Sequence, residues 1–140
     1  MKVSARHKAR ELALQGIYSW QMSKNAIEQV ELALATSNDM QKVDMAYFQS
    51  LLRGVAKDVD AVDTAIRPYL GRLPEELDPI EKAILRLATF ELTQRMDVPY
   101  RVIINEAIEL AKTFGAEESH KFINGALDKA VRTLRKDERG

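Results

Sequence analysis

Residues 98–134 read VPYRVIINEAIELAKTFGAEESHKFINGALDKAVRTL, and this stretch decides the fold. Apolar side chains recur there at three- and four-residue steps, the spacing of one face of an α-helix. The first set comprises Tyr100, Ile103, Ile104, Ala107, Ile108, Ala111 and Phe114, and the second comprises Phe122, Ile123, Ala126, Leu127, Ala130, Val131 and Leu134. The pattern predicts two amphipathic helices joined by a short turn. A hairpin of this kind cannot bury both apolar faces alone, so other helices must cover it.

The ends of this hairpin carry residues that favour helix boundaries. Pro99 suits the first helical position, because its missing N–H has no helical partner there. Gly115 suits a left-handed residue that ends the first helix. Ser119 is predicted to cap the second helix, with Glu117 and Glu118 near its positive end.

The remaining chain shows the same helical periodicity and no sustained two-residue alternation. Helices are predicted from Ser4 to about Met22, from Asn25, from about Asp44 to Arg67, and from Asp78 to about Arg95. Residues 71–79, with one glycine and two prolines, form the best internal boundary. We therefore predict an all-α fold of six or seven helices in two packed helical subdomains, about residues 1–73 and 74–140, of a single domain.

Composition narrows the function classes. Lysine and arginine together number 21, as do aspartate and glutamate, so the formal net charge is zero and any nucleic-acid surface must be local. Cysteine is absent, which excludes disulfides and thiolate metal sites. No apolar run approaches the roughly 20 residues that span a bilayer, and the N-terminus lacks the apolar segment of a secretory signal. We expect a cytoplasmic protein with no membrane partner.

Catalytic chemistry is not indicated. The two histidines, His7 and His120, lie on separate predicted helices, and no nucleophile, phosphate-binding or metalloprotease motif occurs. The adjacent acids Glu75 and Glu76 sit at a predicted helix start, where the helix dipole accounts for them. We expect no enzyme activity, no cofactor and no metal site.

A basic cluster opens the first predicted helix. Its members are Lys2, Arg6, His7, Lys8 and Arg10, with no acidic residue before Glu11. Cations at a helix N-terminus are unfavourable by a few tenths of a kcal/mol each. The cluster is therefore either a solvated helix end or a surface for a polyanion, with the Tyr18 ring in an adjacent row.

Several segments together resemble the NusB family of bacterial transcription antitermination factors. The region DVPYRVIINEAIELAKTFGAEESHKFINGALDKA is similar to the family's signature region. ARHKARELALQGIYSWQ is similar to its arginine-rich first helix, and VDMAYFQSLLRGV, RPYL and EKAILRLATFEL match between them. The resemblance covers about residues 4–131 in order and spacing.

The resemblance implies a NusB-like fold of two helical bundles and a non-enzymatic adaptor. It also implies the partner NusE, a small-subunit ribosomal protein, and the boxA element of nascent RNA as ligand. Other Nus factors and RNA polymerase complete the complex, which supports processive transcription of ribosomal RNA. Similar domains also occur fused to RNA methyltransferases; the chain leaves no room for one, so we expect the free factor.

Family positions that contact RNA map onto one set of residues and positions facing NusE onto another. The RNA set is Arg6, His7, Lys8, Arg10, Tyr18, Lys121 and Phe122, with His7 where other members often carry arginine. The less specific NusE set is Tyr69, Glu75, Glu81 and Lys82. Lys121 and Phe122 are expected to complete the surface that the first helix begins.

Two alternatives stay open, a helical interaction module without an RNA role and a subunit of an RNA-modifying enzyme. Phe122 also has two readings, because it continues the apolar stripe of its helix and so could be core. We expect a partly exposed ring at the edge of the core, and we expect Trp20 to be a core residue. Glu91, on the apolar face of its helix, is expected either to accept hydrogen bonds from groups near Tyr100 or to reach solvent.

Overall fold

A computed structural model describes residues 4–139 of the chain, apart from the side chain of Arg139. The described residues form helices and turns and contain no strand. The helices are α1 (Ala5–Ser23), α2 (Ile27–Ser37), α3 (Met45–Lys57), α4 (Val59–Ile66), α5 (Pro79–Gln94), α6 (Tyr100–Phe114), α7 (Ser119–Leu134) and the short α8 (Lys136–Arg139). Two 3-10 turns, Arg67–Tyr69 and Pro74–Glu76, lie between α4 and α5. The predicted all-α class is confirmed.

The chain divides into two compact units between Asp58 and Val59. The boundary predicted near residue 73 is therefore wrong, because α4 and the first 3-10 turn pack against α5 and α7 of the second unit. The predicted helix over residues 44–67 is also wrong as a single element. It breaks at Asp58, whose φ of −108° and ψ of 26° are not helical. That both units belong to one domain stays a prediction.

The first unit packs α1 against α3, with α2 beside both. Ser4 caps α1 as predicted, and its hydroxyl accepts a hydrogen bond from the His7 N–H at 3.0 Å. Gly16 permits a close helix approach, since a Cβ there would lie 2.7 Å from a methyl group of Leu52. Asn25 does not cap α2, which begins at Ile27 without a side-chain cap. The core of this unit includes Leu14, Ile17, Phe48, Leu51, Leu52 and Val55.

The second unit is built around α5, which packs against α4, α6 and α7. The predicted α6–α7 hairpin is confirmed, and both of its helices pack against α5, whose Ile84, Leu85 and Leu87 are buried. Asp78 caps α5 as predicted, with its carboxylate accepting from the N–H groups of Ile80 and Glu81 at 2.8 and 3.2 Å.

The turn within the hairpin differs from the prediction at both ends. Gly115 has a φ of −88°, so it is not left-handed. The left-handed residue is Glu118, with a φ of 76°, and it precedes α7 as the boundary residue. Ser119 is the first residue of α7 and is buried. Pro99 stands just before α6, whose first residue is Tyr100.

Candidate nucleic-acid and partner interface

The described cations at the start of α1 differ in exposure. The Arg6 side chain is 44% exposed and lies 3.7 Å from the Asp44 carboxylate. Its guanidinium also stacks over the Tyr47 ring, 4.3 Å from the ring centroid. His7 and Lys8 are half-buried, and the His7 Nε2 lies 3.8 Å from the Glu11 carboxylate. Lys2, the remaining cation of the predicted cluster, lies outside the described residues. Arg6 is held in place by contacts that leave much of it in solvent.

Arg10 is not a surface cation. It is only 3% exposed, its Nη2 lies 3.4 Å from the Tyr47 hydroxyl, and its guanidinium lies 5.2 Å from the Tyr47 centroid. Tyr47, itself 2% exposed, is thus contacted by both Arg6 and Arg10. The expectation that Arg10 lies on an RNA-facing surface is wrong, because a residue of α3 packs over it. Arg10 acts instead as part of the α1–α3 contact.

Tyr18 and Trp20 are both half-buried. The prediction that Trp20 belongs to the core is wrong, because α2 does not close over it. Trp20 borders an open cleft of about 830 Å³ together with Ile27 and the exposed Leu32 of α2. Only Val30 of α2 is fully buried, which explains why this side of the first unit stays open.

The first turn of α7 presents a cation beside a ring. Lys121 is 68% exposed in its side chain and pairs with Glu118 at 2.6 Å, while Phe122 is half-buried. Phe122 is therefore the ring at the edge of the core that we expected. An exposed pair such as Lys121–Glu118 contributes about 0–1 kcal/mol, so it does not prevent Lys121 from meeting a phosphate.

The four residues predicted to face NusE all belong to the second unit. Tyr69 is half-buried in the first 3-10 turn, Glu75 is exposed in the second, and Lys82 is half-buried in α5. Glu81 is only 9% exposed, and its carboxylate accepts a hydrogen bond from the Ser119 hydroxyl at 2.9 Å. This bond joins α5 to the start of α7, and a contact between Glu81 and NusE stays a prediction.

Two residues of this region were missed by the sequence reasoning. Arg72 stacks on Phe122, with its guanidinium 4.1 Å from the ring centroid. Tyr47 holds the arginines of α1. Nothing in the local pattern indicated Arg72, which lies 50 positions before its ring partner. Tyr47 stood in a segment that resembled the family, but its uncharged side chain did not mark it as part of a basic site.

Other kinds of site find no support in the part of the chain that the structure covers. No group of three or more acidic or histidine side chains in residues 4–139 could hold a metal ion. Over the same residues, no helix has both the length and the apolar character needed to cross a membrane.

The described residues define an all-α protein, and each unit presents exposed cations beside aromatic rings. The sequence profile of the NusB family matches residues 7–132. The transcription antitermination protein NusB of Alteromonas mediterranea is 85% identical over 139 residues, 99% of each chain. That of Pseudoalteromonas atlantica is 68% identical over 138 residues, again 99% of each. The chain belongs to the NusB family.

Solved structures agree with this assignment. T. maritima NusB superposes with a TM-score of 0.85 at 30% identity, over 99% of each chain. A crystal structure of antitermination factors NusB and NusE in complex with dsRNA contains a chain that matches with a TM-score of 0.83 at 20% identity. That match covers 90% of this chain and 95% of the other, and at this identity it shows the shared fold.

Proposed function

We propose that the protein is a non-enzymatic transcription antitermination factor of the cytoplasm, which binds boxA RNA together with NusE. With other Nus factors and RNA polymerase, it supports processive transcription of ribosomal RNA. The family assignment supports this role, as does the relative whose structure holds NusB, NusE and dsRNA. The observation that carries the RNA contact is the exposed Lys121 next to the half-buried Phe122 at the start of α7.

The chemistry of these two residues fits single-stranded RNA. Sequence-specific RNA recognition uses unpaired bases that stack on aromatic rings, while cations neutralise the backbone phosphates. Phe122 supplies a ring with accessible surface, and Lys121 supplies an adjacent charge. In the first unit, Arg6 and Lys8 add charge and Tyr18 adds a half-buried ring. Arg10 leaves the proposed contact set because it is buried, and the half-buried His7 stays in it.

The balanced net charge explains why a protein partner is expected. A surface with few cations binds RNA weakly and with strong dependence on salt. A partner that brings its own RNA contacts raises the affinity of the complex through linkage. We propose that Tyr69, Glu75 and Lys82 contribute to the NusE-facing surface, since all three retain accessible surface.

The RNA contact is tested with labelled boxA RNA and a scrambled RNA of equal length, each titrated with the protein–NusE complex. Lys121→Gln should weaken boxA binding and reduce the salt slope by about one. Phe122→Ala should cost roughly 1–3 kcal/mol of binding free energy. Lys129→Gln, an exposed cation further along α7, is the matched control and should change little.

Stability measurements on the same variants separate a contact from a core residue. A loss of roughly 3–5 kcal/mol in unfolding free energy for Phe122→Ala would identify Phe122 as core. Equal binding of boxA and scrambled RNA, unaffected by Lys121→Gln or by charge reversal at Arg6, would favour the helical interaction module instead. The NusE surface is tested by calorimetry with Glu75→Lys, for which Glu109→Lys on the exposed side of α6 is the control.

A further inference from the structure

Arg72 lies in the second unit, on the segment between the two 3-10 turns, and it is exposed. Its guanidinium carbon lies 4.1 Å from the centroid of the Phe122 ring. No carboxylate among the described residues pairs with it, unlike Lys121, which pairs with Glu118. An exposed arginine that rests on a ring and keeps its charge free has both a flat face and open hydrogen-bond donors.

The backbone on either side of Arg72 favours this placement. Leu70 is 5% exposed and anchors the end of the first 3-10 turn, which packs against α7. Gly71 then adopts a φ of 69°, a left-handed conformation in which residues with a Cβ are strained. The chain thus passes from a buried leucine to an exposed arginine through one residue suited to that bend.

We propose that Arg72 is a further RNA-contacting residue, and that an unpaired base stacks on the outer face of its guanidinium while Phe122 supports the inner face. The inference rests on the proposed RNA-binding function and deepens it. A separation of 4.1 Å is a contact distance, so no base fits between guanidinium and ring. A base that approaches this part of Phe122 therefore meets Arg72 first.

The chemistry of arginine suits this position better than that of lysine. The guanidinium is planar and weakly hydrated, so it stacks on aromatic faces while its edge donates to phosphate oxygens. A lysine at the same position would supply the charge but no plane. Substitution can therefore separate the contribution of the stacking plane from that of the positive charge.

The test measures boxA binding by the protein–NusE complex at several salt concentrations. Arg72→Lys should weaken binding roughly two- to five-fold with an unchanged salt slope, since only the stacked plane is lost. Arg72→Ala should weaken binding further and lower the slope by about one, since the charge is lost as well. Arg132→Ala, another exposed arginine of this unit, is the control and should leave both quantities unchanged.

A double-mutant cycle tests whether Arg72 and Phe122 form one layer. If they do, the Arg72→Ala and Phe122→Ala effects are not additive, and the double variant loses less than the product of the two fold-changes. If Arg72→Ala binds boxA with wild-type affinity, the inference about Arg72 is overturned while the proposed function stands. Tighter binding would also overturn it, because Arg72 would then compete with the base for the ring. Absence of boxA binding by the wild-type complex would overturn the proposed function and this inference together.

Discussion

Arg6 and Arg10 both approach the Tyr47 ring, at 4.3 and 5.2 Å, yet they have opposite environments. The Arg6 side chain is 44% exposed, whereas Arg10 is 3% exposed. The two residues lie four positions apart, so helical periodicity places both on one side of α1, but it contains no information about what covers that side. The covering residue, Tyr47, is 37 positions away in α3. The depth of a side chain at the edge of a stripe is thus set by a neighbour that the local pattern does not reveal.

The two arginines should respond differently to truncation. Arg10→Ala removes a buried charged donor from the Tyr47 hydroxyl and should lower the free energy of unfolding by about 1–3 kcal/mol. Arg6→Ala should change stability by less than about 0.5 kcal/mol, since both side chains of its ion pair with Asp44 are partly exposed. Urea denaturation followed by circular dichroism measures both. Equal losses in the two variants would contradict the assignment of Arg10 to the α1–α3 contact.

At the level of elements, the sequence predicted most helices within a few residues and failed where tertiary contacts decide. The start of α1 at Ser4 and of α5 at Asp78 followed from capping chemistry, and both caps are present. The break at Asp58 had no proline or glycine to announce it. It occurs where the Asp58 N–H bonds to the Gly54 carbonyl and closes α3. α4, which follows, packs against α5 within the second unit.

The two glycines of the hairpin, Gly115 and Gly125, differ in the space available for a side chain, so alanine should affect stability differently at each position. A Cβ on Gly115 would lie 2.8 Å from the Ala111 carbonyl oxygen and 3.2 Å from the Ser119 Cβ. Gly115→Ala should therefore cost about 1–3 kcal/mol of stability through overpacking. Gly125 lies within α7 with nothing within 4 Å of its added Cβ. Gly125→Ala should raise stability by roughly 0.5–1 kcal/mol, because alanine restricts the unfolded chain and favours the helix. Thermal melts of the two variants check both predictions, since the melting temperature should fall for Gly115→Ala and rise for Gly125→Ala.

The C-terminal segment is more than a frayed end. Arg135 is 3% exposed and donates to the carbonyl oxygens of Leu92 at 2.7 Å and Val98 at 3.0 Å. It also donates to the carbonyl oxygen of Arg95 at 3.0 Å and to the Glu138 carboxylate. The Tyr100 N–H at the start of α6 donates to Glu138. A hydrogen bond from another group near Tyr100 to Glu91 stays a prediction. Glu91 is itself 1% exposed, so the alternative of a carboxylate in solvent is wrong.

Through these bonds, the Arg135 side chain satisfies carbonyl groups at the end of α5 and in the segment that leads to α6. Arg135→Ala should lower the free energy of unfolding by about 3–5 kcal/mol, because several buried carbonyl groups and a carboxylate lose their shared donor. Arg132→Ala, three residues earlier and exposed, is the control and should stay within about 0.5 kcal/mol of the wild type. A loss below about 1 kcal/mol for Arg135→Ala would show that water replaces these bonds.

At the level of the whole molecule, motifs spread over the chain were enough to recognise the family. They were not enough to predict which side chains are exposed at the candidate site. Lys121 and Phe122 retained the expected exposure because they stand at a helix start. Arg10 and Glu81 did not, because a charged residue near an apolar stripe can be a buried link as easily as a contact. Arg72 could not be found, since its relation to Phe122 exists only after α7 and the first 3-10 turn pack together.

Glu31 of the first unit and Glu138 of the second are carboxyl groups whose pKa is lowered in the folded state. In the first unit, Glu31 accepts two hydrogen bonds of 2.7 Å from Arg53, and these lower its pKa below the ordinary 4.5. In the second, the Tyr100 N–H and then Arg135 lower the pKa of Glu138. Both groups therefore release their protons more readily when folded than when unfolded. The stability that each ionised carboxylate adds to the fold is fully present above its pKa in the unfolded chain. It is lost as the pH falls through its lower pKa in the folded protein.

The free energy of unfolding should therefore decrease as the pH falls below about 5, with contributions from both units. Glu31→Gln and Glu138→Gln should each lower stability at pH 7, because a neutral amide replaces a carboxylate that accepts from a cation. In each variant the free energy of unfolding should also fall less steeply as the pH is lowered, and the slope should be smallest in the double variant. Urea titrations at a series of pH values measure this, with Glu109→Gln on the exposed side of α6 as the control. A decline as steep in the double variant as in the wild type would mean that other groups set the acid limit of the fold.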